Sequence, residues 1–200
     1  YHSKSVRRAI TNSLLVADMP FLSFQVSVEE SMKNAGRFFK EALVDAVKLE
    51  GGVGMVPTIK RMTSSGMPVM AHIGLQPQSV RQYGGYRVQA RSENHAKKLI
   101  DDALAVQDAG AFSVVLEKIP YKLAEEITKK LDIPTVGIGA GPYCDGQILV
   151  THDFLGMYEE FNPKFVRQYA KLAQDIKNAC LNYSNDIKSG SFPNLDESFS

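Results

Sequence analysis

Five titratable side chains lie within or at the end of short apolar runs of this chain: Asp18, Lys48, Glu50, His72 and Glu117. The runs cover residues 14–18, 46–50, 68–72, 112–117 and 134–139, and a helix-like stretch follows each. A buried parallel strand is apolar along its length and meets solvent only at its ends. Because α/β folds keep their chemistry at the carboxyl ends of strands, we expect these side chains on one rim, where they would handle a small anionic substrate.

Asp18, Lys48 and Glu50 suit the binding of a chelated acid. Asp18 is either a turn former or a ligand for Mg²⁺, which takes one or two protein carboxylates together with substrate and water. Lys48 and Glu50 alternate with apolar residues, so a strand places both on the same face. Either they form a mutual ion pair, or Lys48 binds a substrate carboxylate while Glu50 reaches the metal or its waters.

His72 and Glu117 are candidates for proton transfer. Glu117 follows three apolar residues and is the strongest candidate for a general base. The alternative is a salt bridge, either to Lys118 or to a neighbouring strand. A lone histidine such as His72 is either a hydrogen-bonded core residue or a group that contacts substrate.

The elements that must position these residues alternate between strand and helix signals. Helical spacing predicts helices over residues 29–43, 53–65, 92–109, 121–131 and 163–187. A sixth short apolar run covers residues 148–150. A long loop over residues 74–91 is rich in Gly, Gln, Tyr and Arg, and its Tyr83, Tyr86, Arg87 and Arg91 could steer an anion or coat the surface.

Repeated βα units predict a parallel sheet with right-handed crossovers. An open doubly wound sheet and a (β/α)8 barrel both satisfy this pattern, and charged groups at the ends of many strands favour the barrel. Six strands are two short of a closed barrel, so we expect the first two strands upstream of Tyr1. With no linker in the sequence, residues 1–200 are expected to form a single barrel domain with a C-terminal helix and polar tail over residues 163–200.

Composition narrows the function classes. The 200 residues are 44% hydrophobic and carry a formal net charge of +1, which gives no electrostatic reason to expect nucleic acid or an anionic membrane as partner. The two cysteines, Cys144 and Cys180, imply no disulfide framework. Residues 137–141 resemble a phosphate cradle, a weak signal that also leaves a flavin or phosphosugar barrel open. Cys144 has no activating partner in the sequence and is expected to be inert.

Six segments together resemble the 3-methyl-2-oxobutanoate hydroxymethyltransferase (ketopantoate hydroxymethyltransferase) family. They are DMPF at 18–21, VKLEGG at 47–52, PVMAHIGLQPQS at 68–79, GGYRVQAR at 84–91, VLEKIP at 115–120 and VGIGAGPYCDGQILVTHDFLG at 136–156. The resemblance runs from residue 6 to about residue 174 and recurs at residues 192–193. It implies a (β/α)8 TIM barrel of the phosphoenolpyruvate/pyruvate type.

The resemblance also implies the activity. This is transfer of a hydroxymethyl group from 5,10-methylenetetrahydrofolate to 3-methyl-2-oxobutanoate, giving 2-dehydropantoate for pantothenate biosynthesis with the help of Mg²⁺. It assigns metal and substrate contact to Asp18, substrate contact to Lys48, metal contact to Glu50 and the proton-acceptor role to Glu117. His72 matches a histidine near the substrate.

Two departures from the family pattern stand out. An Asp-Ser pair, which supplies a principal Mg²⁺ ligand and a substrate contact in the family, is expected upstream of Tyr1. Ala90 occupies a position where members of the family commonly carry Gly.

Other functions and partners stay open. A carbon–carbon lyase or Schiff-base aldolase with Lys48 as nucleophile would fit the same fold, as would a truncated, non-catalytic subunit that binds keto acid. The resemblance implies a ring-based homo-oligomer, commonly a decamer in the family. We expect a cytoplasmic location, with the mitochondrial matrix possible in a eukaryote.

Overall fold

The protein is described by a computed structural model over residues 1–82, 84–160 and 163–200. These residues divide into two compact units, Tyr1–Ile148 and Leu149–Ser200. The expectation of one domain over residues 1–200 stays a prediction. Tyr83, named above as a candidate for steering an anion, lies outside the described residues.

The first unit is built on a parallel sheet in which each strand pairs with the next one along the chain. Because a doubly wound sheet reverses its strand order at a switch point, this sequential order excludes that alternative and confirms the barrel type of fold. The described residues contribute six strands to it. They are β1 (Val16–Asp18), β2 (Ala46–Glu50), β3 (Val69–Gly74), β4 (Ser113–Glu117), β5 (Thr135–Ile138) and β6 (Gly146–Gln147).

Helices connect the strands from β1 to β5, where the apolar spacing predicted them, whereas one further helix precedes β1 and a turn joins β5 to β6. Ser27 and Ser92 cap two of these helices by accepting hydrogen bonds from the backbone N–H groups of Glu30 and His95. The helices of this unit are α1 (His2–Arg7), α2 (Val28–Ala42), α3 (Val56–Thr63), α4 (Glu93–Asp108) and α5 (Tyr121–Lys130). Short 3₁₀ helices cover Val53–Met55, directly before α3, and Pro77–Ser79, in the long loop after β3.

The core lies between the sheet and these helices. Val47 and Leu49 of β2 are fully buried, as are Ile59 of α3, Val106 of α4 and Ile127 of α5. Apolar burial of this kind is the main favourable term in folding, and it fixes each strand by its apolar side chains. The polar residues of the strands are therefore held in place by a rigid frame.

The second unit contains α6 (Thr151–Phe154), α7 (Leu172–Ser189) and a 3₁₀ helix over Leu195–Glu197. The predicted helix over residues 163–187 is wrong at its start, because α7 begins at Leu172. The preceding segment bonds elsewhere: the N–H of Tyr169 donates to the carbonyl of Phe154, and that of Leu172 donates to the carbonyl of Leu155. No helix in the described part of the chain has both the length and the apolar character needed to cross a bilayer.

The sixth strand also differs from the sequence prediction. The apolar run at residues 148–150 is not a strand, and β6 lies two residues upstream of it at Gly146–Gln147. The carboxylate of Asp145 accepts hydrogen bonds from the backbone N–H and the hydroxyl of Thr135, at 2.8 and 3.0 Å. This polar anchor brings residues 146–147 alongside β5, whereas Ile148 and Val150 are exposed.

Ala90 adopts a left-handed backbone with φ of +53°, at the position where the resemblance implies Gly. We expect Ala90→Gly to raise the free energy of unfolding by up to about 1 kcal/mol, because glycine reaches this region without the clash of a Cβ atom. Ala105→Gly, a control within α4, should lower it by about 1 kcal/mol. Urea denaturation measures both, and an Ala90→Gly variant less stable than the parent chain would contradict the prediction.

Candidate active site

The strand register brings the five predicted residues to the carboxyl edge of the sheet. Asp18 pairs with Lys48 across β1 and β2, and Glu50 pairs with His72 across β2 and β3. Glu117 ends β4 opposite Gly74, the last residue of β3. A Cβ atom at Gly74 would lie 2.3 Å from the carbonyl oxygen of Glu117, so the glycine allows the two strand ends to approach closely.

Four of these side chains form a continuous line of polar contacts over four strands. The ammonium group of Lys48 lies 2.8 Å from Oδ1 of Asp18 and 3.0 Å from Nδ1 of His72. On the other side of the ring, Nε2 of His72 lies 3.1 Å from Oε2 of Glu117. That last contact is close enough for an ion pair but lacks hydrogen-bond geometry, so the buried Nε2 atom has no well-aligned partner among the described residues.

When His72 is neutral, the ammonium group of Lys48 determines which ring nitrogen carries the proton. An ammonium group only donates hydrogen bonds, so Nδ1 of His72 accepts and the ring proton is assigned to Nε2. This N–H faces the carboxylate of Glu117. Glu117 is largely buried, with 13% of its side chain exposed, and its carboxylate contacts the ring of His72.

Glu50 lies in the same region as this polar line and is 6% exposed. Its Oε2 atom accepts a hydrogen bond of 3.1 Å from the backbone N–H of Gln78. Burial raises the pKa of the Glu50 carboxyl, and three opposing effects only partly cancel that shift: a protonated His72, the backbone hydrogen bond from Gln78 and the Lys48 ammonium. The negative charge of Asp18 adds a smaller effect in the same direction as burial.

The observed contacts decide between several sequence interpretations. The Lys48 ammonium forms an ion pair with Asp18 and a hydrogen bond with His72, both on adjacent strands, so a simple Lys48–Glu50 ion pair is not what the fold forms. His72 is a buried, hydrogen-bonded residue that also touches the candidate base. Glu117 contacts His72 on the neighbouring strand, as the salt-bridge alternative anticipated, while its carboxylate stays at the edge of the site.

Sequence analysis missed Gln78, which lies in the 3₁₀ helix of the loop after β3. Besides its backbone contact to Glu50, its side-chain amide donates to the carbonyl of Met19 at 2.8 Å. The amide oxygen accepts from Gln25 at 3.1 Å. The one signal in the sequence was Pro77, which often stands at the first position of a helix and so placed a turn at this point of the long loop.

The glycine-rich segment does not provide the helix start that a phosphate cradle requires, because a turn and β6 follow it. Packing accounts for its glycines: a Cβ atom at Gly141 would lie 2.3 Å from Cβ of Tyr121, and one at Gly137 would lie 3.0 Å from Sγ of Cys144. Burial raises the pKa of the Cys144 thiol, as the expectation of an inert cysteine implied. Arg87 and Arg91 of the long loop are exposed.

A cavity of about 440 Å³ lies beside Glu50. Its lining includes the backbone of residues 51–54 and the side chains of Ser79, Lys98 and Asp102. The carboxylate of Asp102 accepts a 2.8 Å hydrogen bond from the N–H of Val53 and so fixes this loop. One side of Glu50 therefore faces a space that small molecules can enter.

The donor set at the rim can be tested against a divalent cation. The described residues hold no group of three or more His, Cys, Asp or Glu side chains arranged to bind a metal. Asp18 and Glu50 supply two carboxylates, and Mg²⁺ commonly uses one or two together with substrate and water oxygens. With Glu117 included, the strand ends carry three carboxylates and one ammonium group, a formal charge of −2 that would repel an anion unless a cation is bound.

Residues 1–195 match the model of a protein family described as ketopantoate hydroxymethyltransferase. Three similar bacterial proteins carry the name 3-methyl-2-oxobutanoate hydroxymethyltransferase. The identity is 52% to that of Syntrophus aciditrophicus, 55% to that of Pelobacter propionicus and 52% to that of Geobacter sulfurreducens. Each alignment covers 100% of this chain and 73%, 74% and 75%, respectively, of the relative.

Two solved structures share the fold at low sequence identity. A putative phosphonomutase from Burkholderia cenocepacia superposes with a TM-score of 0.58 at 12% identity, covering 92% of this chain and 76% of that chain. A phosphonopyruvate hydrolase superposes with a TM-score of 0.52 at 11% identity, covering 100% and 70%. Both agree with the expected barrel fold.

We expect Glu50→Gln to raise the melting temperature at pH 7 in the presence of EDTA. Burial raises the pKa of Glu50 above its ordinary value of 4.5, so the folded state loses stability as pH rises from below that value through the raised pKa. Glutamine stays neutral and can still accept the hydrogen bond from Gln78. The gain should be small at pH 4 and complete at neutral pH, as followed by circular dichroism.

Glu126→Gln, on the exposed surface of α5, is the matched control and should shift the melting temperature little at either pH. A Glu50→Gln variant that melts below the parent chain at pH 7 would show that the buried carboxylate is stabilising and would contradict this reading of the site.

Proposed function

Because the chain belongs to the ketopantoate hydroxymethyltransferase family, an enzyme family of the pantothenate pathway, we propose that the five residues at the carboxyl edge of its sheet carry out a hydroxymethyl transfer. In it, a hydroxymethyl group passes from 5,10-methylenetetrahydrofolate to 3-methyl-2-oxobutanoate, which becomes 2-dehydropantoate. The observation that carries this proposal is the line of contacts from Asp18 through Lys48 and His72 to Glu117. It sets a cation and a carboxylate base at opposite ends of one buried histidine.

Lys48 is the group proposed to bind the carboxylate of the keto acid. Its side chain is 16% exposed, so the ammonium group faces the site while its stem is packed in the sheet. Asp18 is 57% exposed and holds the ammonium group from one side, which leaves other donor directions of Lys48 toward the substrate. A charge-assisted contact in a half-buried position is stronger than one in water.

Glu117 is the proposed general base. It would take the proton from carbon 3 of the keto acid, next to the carbonyl group, and leave an enolate whose carbon 3 is nucleophilic. Nε2 of His72 lies 3.1 Å from Oε2 without hydrogen-bond alignment, so the buried ring limits the orientations of the carboxylate by contact. Proton removal here therefore uses a base whose position is fixed by the fold.

Mg²⁺ fits the carboxylates of Asp18 and Glu50, which we propose as its protein ligands, since the formal charge of the rim calls for a cation. When bound, this ion would act as a Lewis acid toward the keto acid and so lower the cost of forming the enolate. The chain's own contribution is to hold both acids at adjacent strand ends and to keep Lys48 between Asp18 and His72.

The reaction balances without an oxidant. Carbon 3 of the keto acid loses a proton to Glu117 and forms a bond to the methylene carbon of the folate, and both carbon–nitrogen bonds of that methylene carbon break. Water supplies the hydroxyl group of the product. The other proton of water and the proton held by Glu117 pass to the two folate nitrogens, and tetrahydrofolate is released. The role of the chain after proton removal is to keep the enolate face open toward the folate, for which the cavity beside Glu50 offers room.

A Schiff-base mechanism at Lys48 is less favoured. That chemistry needs an amine free to attack the keto carbon, whereas the Lys48 nitrogen is already held 2.8 Å from Oδ1 of Asp18 and 3.0 Å from Nδ1 of His72. Borohydride reduction in the presence of the keto acid should therefore leave the mass of the protein unchanged. The expected homo-oligomer, commonly a decamer in the family, and the cytoplasmic location stay predictions.

Glu117→Gln should slow deuterium exchange at carbon 3 of 3-methyl-2-oxobutanoate by about 10²–10⁴-fold, because the amide cannot accept the proton. Exchange is followed by proton NMR in D₂O with Mg²⁺ and without folate, so that only the first step is measured. Glu126→Gln, an exposed position on α5, is the control and should exchange at the rate of the parent chain. Exchange by Glu117→Gln at that same rate would remove Glu117 from this role.

A further inference from the structure

Gln78 links the segments next to both candidate metal ligands. Its backbone N–H donates to Oε2 of Glu50 at 3.1 Å, and its side-chain amide donates to the carbonyl of Met19 at 2.8 Å. Met19 is fully buried and directly follows Asp18, and its own N–H donates to the carbonyl of Lys48 at 2.9 Å. One residue of the long loop is therefore bonded to the carboxyl ends of β1 and β2 together.

The local structure gives Gln78 the donors for this task. It lies in the first turn of the 3₁₀ helix Pro77–Ser79, where backbone N–H groups have no partner within the helix and can bind another acceptor. Its side chain both donates and accepts, and the amide oxygen takes a 3.1 Å hydrogen bond from Gln25. The loop is also fixed at its start, because the N–H of Leu75 donates to the carbonyl of Glu117 at 2.8 Å.

We propose that Gln78 is a positioning residue that sets the spacing between the Asp18 and Glu50 carboxylates. The proposal rests on the proposed function, in which these two acids hold Mg²⁺. Its physical basis is the tether to Met19: the side-chain amide fixes the loop, and the fixed loop presents the backbone N–H to Glu50. Hydrogen-bond partners of metal-binding carboxylates orient them, and their loss commonly weakens metal binding about 10- to 100-fold.

A purely space-filling role for Gln78 predicts a different outcome for one substitution. Gln78→Met keeps the length and approximate volume of the side chain and leaves the backbone N–H in place, but it removes the donor to Met19 and the acceptor for Gln25. If Gln78 only fills space, methionine should replace it without effect. If the hydrogen bond to Met19 is needed, Gln78→Met should weaken Mg²⁺ binding even though the loop stays packed.

The test compares the full chain with its Gln78→Met variant and with Gln89→Met as the matched control. Gln89 lies in the same loop, and its side chain donates to the carbonyl of Arg87 at an exposed position. Calorimetric titration with MgCl₂ in the presence of 3-methyl-2-oxobutanoate should show affinity about 10-fold weaker or worse for Gln78→Met and unchanged for Gln89→Met. Unchanged far-UV circular dichroism will show that each variant is folded.

Amide hydrogen exchange supplies a second readout that needs neither metal nor turnover. Gln78→Met should exchange several-fold faster over residues 19–26 and 76–80, because the bond joining the two segments is gone, while Gln89→Met should not change residues 19–26. Parent-like Mg²⁺ affinity together with parent-like exchange in Gln78→Met would overturn the proposal. A parent chain that binds no Mg²⁺ would instead contradict the metal in the proposed function, and amide exchange would then decide the role of Gln78.

Discussion

The half-buried ammonium group of Lys48 is the charge on which the site depends. Removing a charge from water is costly unless partners compensate for it, and Lys48 is held by Asp18 on one side and His72 on the other. The same ammonium group fixes the proton of His72 toward Glu117 and opposes the raised pKa of Glu50. Each acid at the rim is therefore affected by this one cation, either directly or through the histidine.

The parallel sheet makes this arrangement possible. Buried strands run in sequential order, so residues that are far apart in sequence become direct register partners, as Asp18 is to Lys48 and Glu50 is to His72. The apolar residues between them, such as Leu49, are fully buried and hold the polar side chains in position. The remaining charge of the rim is negative, which is why an anionic substrate there calls for a cation in addition to Lys48.

Much of this could be predicted from the sequence, because strand ends and amphipathic helices have local sequence patterns. The apolar runs placed Asp18, Lys48, Glu50, His72 and Glu117 at one edge, and the helical spacing predicted the helices that connect β1 to β5. Long-range contacts could not be read in this way. The pairing of Lys48 with Asp18, the strand at residues 146–147 and the tether at Gln78 all depend on residues brought together by folding. Helix α7 shows the same limit, since the backbone of residues 169 and 172 bonds to residues 154 and 155 instead of continuing the helix.

The central claim is that the rim residues form one keto-acid site. A crystal structure of the full chain with Mg²⁺ and 3-methyl-2-oxobutanoate tests it most directly. We expect the acid at the carboxyl edge of the sheet, with its carboxylate at Lys48, carbon 3 facing Glu117, and the metal on Asp18 and Glu50. Keto acid bound away from Lys48, or a Glu117 carboxylate turned away from carbon 3, would contradict it.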